Sequence, residues 1–122
     1  MRTLLPIAIG AVLGAWSRHG LGLALNRLNP SLPWGTLAAN LLGGLLIGMA
    51  LGWQATRGLS EPLRLALVTG FLGALTTFST FSAESLGLLL QARVGAALLH
   101  TAVHLAGSLL AAWCGWRFVQ AL

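Results

Sequence analysis

The sequence contains no Lys, no Asp and no Tyr, and its charged side chains are seven Arg and two Glu, or 7% of the chain. A soluble domain of 122 residues needs a largely charged surface to stay dispersed, and so few charges cannot cover one. Hydrophobic residues make up 57% of the chain, and the mean hydropathy is +0.84. We therefore expect a single domain, residues 1–122, whose surface is mostly in contact with lipid.

The scarcity of acidic residues also excludes most enzyme chemistry. Glu61 lies in a connecting segment and Glu84 in an apolar one, so no pair of carboxylates is predicted for acid–base catalysis. The single cysteine, Cys114, cannot form a disulfide within one chain and is interpreted as a packing residue. The sequence therefore does not predict an enzyme.

The arginines carry the whole net charge of +5 but form no basic stripe. Nucleic-acid binding usually requires such clustering on one face, so no nucleic-acid partner is expected. Most of the arginines lie near the gaps between apolar segments, as in the loops of membrane proteins. They occupy positions 2, 18, 27, 57, 64, 93 and 117.

Four apolar segments are long enough to cross about 30 Å of hydrocarbon at about 1.5 Å per residue. Short connections at 26–32, 56–62 and 91–93 force neighbouring segments to run in opposite directions. The sequence thus predicts an all-α, multi-pass membrane protein. The segments are Leu4 to Leu25, Pro33 to Trp53, Leu65 to Leu90, and Val94 to Trp116.

The distribution of arginines leaves the orientation open. With four crossings, positions 2, 57, 64 and 117 share one side of the membrane, and positions 27 and 93 lie on the other, with Arg18 nearer to the latter. This is a weak bias under the positive-inside rule. Two interpretations remain: one fixed orientation, or insertion both ways round, which would permit an antiparallel homodimer.

The third segment contains a polar stretch from Thr76 to Ser82, in which five of the seven residues are Ser or Thr. Gly70 and Gly73 precede it, and glycine weakens a helix. We expect the third helix to be broken near the membrane midplane, which is tolerated where the backbone is buried in protein or lines a cavity. The alternative is a continuous helix whose hydroxyls bond to the preceding turn.

Three further polar residues lie within apolar segments. Thr36 and Asn40 are four residues apart and share one helix face, where an amide must find a partner in another helix or in a permeating species. Helix packing alone is the slightly preferred interpretation for Asn40. Arg18 either extends to the nearest interface or provides positive potential at the mouth of a pore.

His100 and His104 have the spacing of a metal-binding pair on a helix. The sequence places no third ligand beside them, so hydrogen bonding between helices is preferred over a metal site.

Glycines at a spacing of four residues predict close helix contacts. The two pairs are Gly10 with Gly14, and Gly44 with Gly48.

Three motifs in this order resemble the Fluc (CrcB) family of fluoride channels. They are Gly-x-x-x-Gly-x-x-x-Arg at 10–18, Gly-Thr-Leu-x-x-Asn at 35–40, and Gly-x-x-Gly-x-x-Thr-Thr-Phe-Ser-Thr-Phe-Ser at 70–82. The last motif is the most specific, and the resemblance extends over the whole chain in length and helix count.

The resemblance implies an antiparallel, dual-topology homodimer with two pores in the bacterial inner membrane, surrounded by lipid. Such a protein exports fluoride passively from the cytoplasm. It also implies a structural Na⁺ at the dimer interface, held by the backbone carbonyls of Gly73 and Thr76 from both subunits.

The resemblance further assigns a polar pathway. Asn40 would donate a hydrogen bond to the anion, and Phe78 and Phe81 would present their positive ring edges to it. Helix four departs from the family, whose members often carry Tyr or Asn and then Ser or Asn, and its imidazoles could make conduction depend on pH. The remaining residues implied are Thr36, Ser79, Thr80, Ser82, His100, His104 and Ser108 in the pore, with Arg18 and Glu84 at its mouth.

Two other classes of protein have a size and helix count similar to those predicted here and are the alternatives to a channel. A small multidrug exporter needs a membrane-embedded carboxylate in its first helix, where this chain has none. An accessory subunit without transport activity would conduct no ion when purified.

Overall fold

The computed structural model describes residues 3–28 and 33–122, which form four helices. Each helix is long and apolar enough to cross a membrane, which confirms the predicted helix count. Arg2 and positions 29–32 of the first predicted connection lie outside the described residues. The helices are α1 (Leu4–Leu25), α2 (Trp34–Thr56), α3 (Glu61–Leu90) and α4 (Val94–Gln120).

The helix ends differ from the apolar segments by a few residues. Ser60 is the N-cap of α3 and Pro62 lies in its first turn, as their residue types predict for a helix start, so the helix begins at Glu61, ahead of the apolar run that starts at Leu65. The carboxylate of Glu61 in this first turn interacts favourably with the positive end of the helix dipole. Gly58, with φ of +75°, follows the end of α2 in the left-handed conformation that favours glycine.

The backbone of α3 is irregular near the middle of its length. A π-helical segment, Leu65–Leu72, is followed by a last helical turn at Gly73–Leu75. Thr76 and Thr77 then adopt extended conformations, with ψ of 155° and 118°, before helix resumes at Phe78–Leu90. These two residues divide α3 into a first half, residues 61–75, and a second half, Phe78–Leu90.

The first half of α3 packs against α1. The contact is close because Gly10 and Gly14 of α1 have no side chains. A Cβ atom at Gly10 would clash with the carbonyl oxygen of Ala66, and one at Gly14 would clash with that of Phe71. The first predicted pair of glycines therefore forms a helix contact, as expected.

A second glycine contact joins α2 to α4. A Cβ atom at Gly48 would clash with the carbonyl oxygen of Ala112, and one at Gly44 would lie 2.7 Å from the carbonyl oxygen of Ser108. The second predicted pair is thus also confirmed as a packing contact. Gly115 adds a reciprocal approach from α4, which the glycine spacing did not indicate.

Gly48→Ala is expected to lower the unfolding free energy by about 1–3 kcal/mol, because the added methyl group forces the backbones of α2 and α4 apart. The measurement is thermal unfolding in detergent, followed by tryptophan fluorescence. Gly95→Ala is the matched control, because no atom of the described residues lies within 4 Å of a Cβ atom at Gly95. Equal unfolding temperatures for the two variants would contradict this packing.

The apolar interior of the chain is small, and most large side chains face outward. Ala39, Leu72 and Leu75 form its buried centre. In contrast, Trp16 is 72% exposed and Leu109 is 73% exposed on the outer surface. Such a surface is suited to lipid or to another membrane subunit, not to water.

Candidate functional site

Asn40 of α2 provides hydrogen bonds to the extended backbone of α3. The N–H of Thr77 donates to Asn40 Oδ1 at 2.8 Å, and Asn40 Nδ2 donates to the carbonyl oxygen of Thr77 at 3.2 Å. Backbone polar groups in a membrane-spanning segment need partners, because lipid supplies none. The Asn40 Oδ1 atom therefore replaces the helical acceptor that the N–H of Thr77 lacks, and Asn40 Nδ2 adds a second donor to the Thr77 carbonyl, which as an N-cap carbonyl also accepts from the helix that follows.

The break leaves carbonyl groups at the end of the first half of α3 without their usual helical donors, and those of Gly73 and Thr76 are among them. The N–H that would reach Gly73 in a continuous helix belongs to Thr77, and it donates to Asn40 instead. The N–H that would reach Thr76 belongs to Thr80, and it donates to Thr77 Oγ1 at 3.1 Å as an N-cap. The carbonyl oxygens of Gly73 and Thr76 thus fit a ligand set for a hard cation.

Glu84 of α3 forms polar contacts with both α2 and α4. Thr36 Oγ1 donates to Glu84 Oε1 at 2.5 Å, and His100 Nε2 lies 3.2 Å from Glu84 Oε2. On its other side, His100 Nδ1 lies 3.0 Å from Ser85 Oγ. The hydrogen bonds between helices that we preferred for the imidazoles are therefore present.

The expectation that His100 and His104 lack a third ligand was wrong. The short turn between α3 and α4 folds the two helices against each other and brings Glu84 beside both imidazoles. One ligand atom from each of the three residues lies within 4.8 Å of those of the other two. The separation of 16 residues between Glu84 and His100 hid this proximity in the sequence.

The second imidazole, His104, has a defined tautomer. Because Asn40 Oδ1 accepts from Thr77, the orientation of the amide is fixed, and Nδ2 faces His104 Nδ1 at 3.2 Å. Nδ1 therefore accepts this hydrogen bond, and the proton of neutral His104 is assigned to Nε2. Within residues 3–28 and 33–122, no hydrogen-bond partner lies within reach of that buried Nε2.

Two phenylalanines lie against the imidazoles but differ in exposure. Phe81 is 8% exposed and stacks on His100, with centroids 5.4 Å apart and planes 7° apart. Phe78 is 74% exposed and tilts towards Phe81 at a centroid distance of 5.4 Å. The side chain of Phe78 thus faces outward from the subunit.

Two cavities approach each other at Thr77. One is lined by Arg18 and is called here the Arg18 cavity; its volume is about 430 Å³. The other is lined by Phe78 and is called the Phe78 cavity; its volume is about 530 Å³. Thr77 lines both, so its pair with Asn40 lies between them. Other polar residues of the Arg18 cavity are His19, Asn26, Thr36 and Thr80, and those of the Phe78 cavity include Asn40, Thr76, His104 and Ser108.

The hydroxyl groups from Thr76 to Ser82 fall into two sets. Thr76 donates to the carbonyl oxygen of Leu72 at 2.9 Å, and Ser82 donates to that of Phe78 at 2.8 Å, so these two bond back to their own helix. The Thr77 hydroxyl instead lies 3.2 Å from Ser79 Oγ and 3.0 Å from Thr80 Oγ1.

The sequence analysis placed Thr77 in the break of the third segment without assigning it to the site, and it did not indicate Ser85. Thr77 is an N-cap with Thr80 three positions later, and this capping preference was a usable signal. Ser85 is the partner of His100, and nothing in its local sequence indicates that contact.

Comparison with known protein families gives a match over residues 5–116 to the family described as "CrcB-like protein, Camphor Resistance (CrcB)". The chain belongs to the CrcB family. The resemblance inferred from the three motifs is thereby confirmed.

Several CrcB relatives are similar over nearly their whole length, and each is named "Fluoride-specific ion channel FluC". One from Aromatoleum aromaticum is 58% identical, covering 92% of this chain and 86% of the relative. One from Cupriavidus pinatubonensis is 57% identical, with 92% and 90% coverage, and one from Variovorax paradoxus is 53% identical, with 98% and 95% coverage. The chain is therefore a multi-pass membrane protein, as its four helices of spanning length and its similarity to these CrcB relatives both indicate.

Proposed function

We propose that this protein is a passive, fluoride-selective ion channel. The relatives at 50–58% identity are named as fluoride channels, not as enzymes. The observation that carries the proposal is the Asn40–Thr77 pair, which lies between a cavity beside Arg18 and a cavity beside Phe78. An anion that passes from one cavity to the other would meet amide and hydroxyl donors at this point.

The chemistry of the site suits a small, strongly hydrated anion. A selective pore must replace the water around fluoride with several donors. The hydroxyls of Ser79 and Thr80 and the ring edges of Phe78 and Phe81 would supply such donors without a full positive charge that would retain the ion. Asn40 would join them by exchanging one of its two hydrogen bonds, to the carbonyl oxygen of Thr77 or to His104 Nδ1, for one to the anion. Arg18 would raise the local concentration of anions at the wider entrance.

We further propose that two copies assemble in antiparallel orientation and form two pores. The exposed Phe78 ring and the adjoining Phe78 cavity support a second subunit, because one copy alone leaves this polar and aromatic region uncovered. The nearly balanced arginines are compatible with insertion in both orientations.

The carbonyls of Gly73 and Thr76 would hold Na⁺ at the centre of this dimer. Their helical donors are engaged elsewhere, by Asn40 and by the hydroxyl of Thr77, so both oxygens are available to a ligand. Oxygen ligands without a carboxylate suit a monovalent hard cation better than a transition metal. The ion would stabilise the interface by balancing the carbonyl dipoles of the two subunits.

The direction of transport follows from acid–base chemistry and the membrane potential. Fluoride enters a cell as the neutral acid and is released as the anion in the less acidic cytoplasm. The potential across the bacterial inner membrane, negative inside, then drives the anion outward through a passive pore. No embedded carboxylate or other coupling group is needed for this flow.

Fluoride efflux from proteoliposomes tests the proposal directly. We expect rapid fluoride efflux and strong exclusion of chloride, because only the smaller ion interacts with closely spaced donors strongly enough to offset the loss of its hydration water. Equal fluxes of the two anions would contradict selectivity. Absence of both would favour an accessory subunit without transport activity.

Dual topology is tested by cysteine labelling in a Cys114→Ser background. We expect single cysteines at the exposed positions Leu28 and Thr56 each to react with an impermeant reagent applied from either face of the membrane. The positions follow α1 and end α2, so one fixed orientation would expose each of them on one face only. Such one-sided labelling would rule out the antiparallel dimer.

A further inference from the structure

The cluster of Glu84, His100 and His104 has the composition of a transition-metal site. It offers one carboxylate oxygen and two imidazole nitrogens within 4.8 Å of one another. The imidazoles are 8% and 5% exposed, so the cluster lies inside the subunit. Neither the Asn40 pathway nor the Na⁺ site requires these three residues to converge.

We propose that this cluster binds a transition-metal dication such as Zn²⁺, and that the bound ion inhibits fluoride flux by separating His104 from Asn40. The binding site stands on its own, whereas the inhibition rests on the proposed channel function.

The ligand set distinguishes this ion from Na⁺. Imidazole nitrogen with carboxylate oxygen suits zinc and cobalt, while the carbonyls of Gly73 and Thr76 offer only neutral oxygen. Three protein ligands would leave a fourth position for water in a tetrahedral site, as in zinc sites that keep one coordination position open. The carboxylate of Glu84 would offset one of the two positive charges.

Two of the ligands are already oriented by their neighbours. Without metal, His100 Nε2–H donates to Glu84 Oε2 at 3.2 Å. When a metal replaces that proton, Ser85 Oγ, 3.0 Å from His100 Nδ1, can accept the N–H of the other ring nitrogen and hold the ring with Nε2 towards the metal. Thr36 donates to Glu84 Oε1 and directs Oε2 towards the imidazole. Such contacts around the ligands normally fix the tautomer and orientation in metal sites.

The third ligand, His104, links the metal to the pathway. Its Nε2 is buried and has no hydrogen-bond partner within the described residues. A buried polar atom without a partner is energetically unfavourable, and a bound ligand would supply the missing interaction. To bind a metal through Nε2, the ring must carry its proton on Nδ1 instead. Nδ1–H would then face the amide hydrogens of Asn40, so metal binding and the Asn40–His104 hydrogen bond exclude each other.

Metal binding would therefore disturb the boundary between the two cavities. Asn40 would have to turn away from His104, or rotate its amide and lose the hydrogen bond from the N–H of Thr77. Either movement alters the side chain that is hydrogen-bonded to both backbone polar groups of Thr77. We expect the metal-bound channel to conduct less fluoride than the metal-free channel.

Binding is tested with Co²⁺, which gives visible absorption bands when its coordination is tetrahedral. Protein purified in detergent without a histidine tag should develop these bands and lose them when Zn²⁺ is added. Glu84→Gln and His100→Ala should each weaken Co²⁺ binding by at least about 10-fold. Glu61→Gln and His19→Ala, which change a carboxylate and an imidazole outside the cluster, should leave it unchanged.

Unchanged Co²⁺ binding in both cluster variants would overturn the site. Inhibition is tested separately, by fluoride efflux from proteoliposomes with and without Zn²⁺, and it should be reversed by a chelator. Cys114→Ser should be inhibited equally, and loss of inhibition in that variant would assign the effect to the thiol. If Zn²⁺ does not alter fluoride efflux, the proposed inhibition is wrong. If no efflux occurs even without metal, the proposed channel function is wrong, and the Co²⁺ measurement alone decides whether the metal site exists.

Discussion

Asn40→Asp is expected to reduce fluoride efflux by about 100-fold or more. The substitution removes the amide donor that bonds the carbonyl oxygen of Thr77 and Nδ1 of His104, and it adds a negative charge between the two cavities. Loss of hydrogen bonds to a charged ion together with repulsion adds about 3 kcal/mol to the barrier, which corresponds to about 100-fold in rate. The measurement is fluoride efflux from proteoliposomes at equal protein content.

Gln54→Glu is the matched control for this variant. It makes the same exchange of an amide for a carboxylate on the same helix, but at an exposed position near the end of α2. The acceptor that Gln54 Oε1 provides to the N–H of Leu59 is retained. Undiminished flux in Asn40→Asp, with the control also normal, would place Asn40 outside the pathway.

Phe81→Ile and Phe78→Ile are each expected to reduce fluoride efflux by at least about 10-fold. Isoleucine retains apolar bulk but lacks the positive edge of an aromatic ring, so the anion loses a favourable contact at each position. A loss of about 1.4 kcal/mol of stabilisation at the barrier corresponds to this factor. Efflux is measured beside Phe118→Ile, which changes an exposed phenylalanine near the end of α4.

The two variants should differ in stability even though both lose flux. Phe81 is buried against both imidazoles, so its replacement should lower the unfolding temperature. Phe78 is exposed on the single subunit, so its replacement should leave the unfolding of that subunit unchanged. Wild-type flux in both variants would assign the rings to packing alone.

The helices could be predicted because a membrane imposes a simple rule on composition. A segment that crosses hydrocarbon must be apolar and about 20 residues long, and all four segments satisfied it. Hydropathy misplaced the start of α3, because the turn from Glu61 to Arg64 is polar and lies outside the apolar run. Its position depended on Ser60 and Pro62, which act through backbone geometry and not through hydropathy.

The site was predicted less completely, because its contacts join distant parts of the chain. Asn40 and the hydroxyl-rich stretch were conspicuous as polar residues in apolar segments, and their roles in a pore remain predictions. The convergence of Glu84 with the imidazoles depends on how α3 and α4 pack, which periodicity does not specify. Residue types alone therefore suggested an isolated histidine pair where the structure has a three-residue cluster.

The glycine contacts have a consequence for how this protein is made. They join α1 to α3 and α2 to α4, so each helix pairs with the one after its neighbour, and the two members of each pair cross the membrane in the same direction. As the ribosome delivers the helices in order, α1 enters the bilayer before its partner has been synthesised, and α2 must wait until α4 follows. The narrow glycine surfaces of both are exposed to lipid during that interval, and subunit assembly can be completed only after the last helix has inserted.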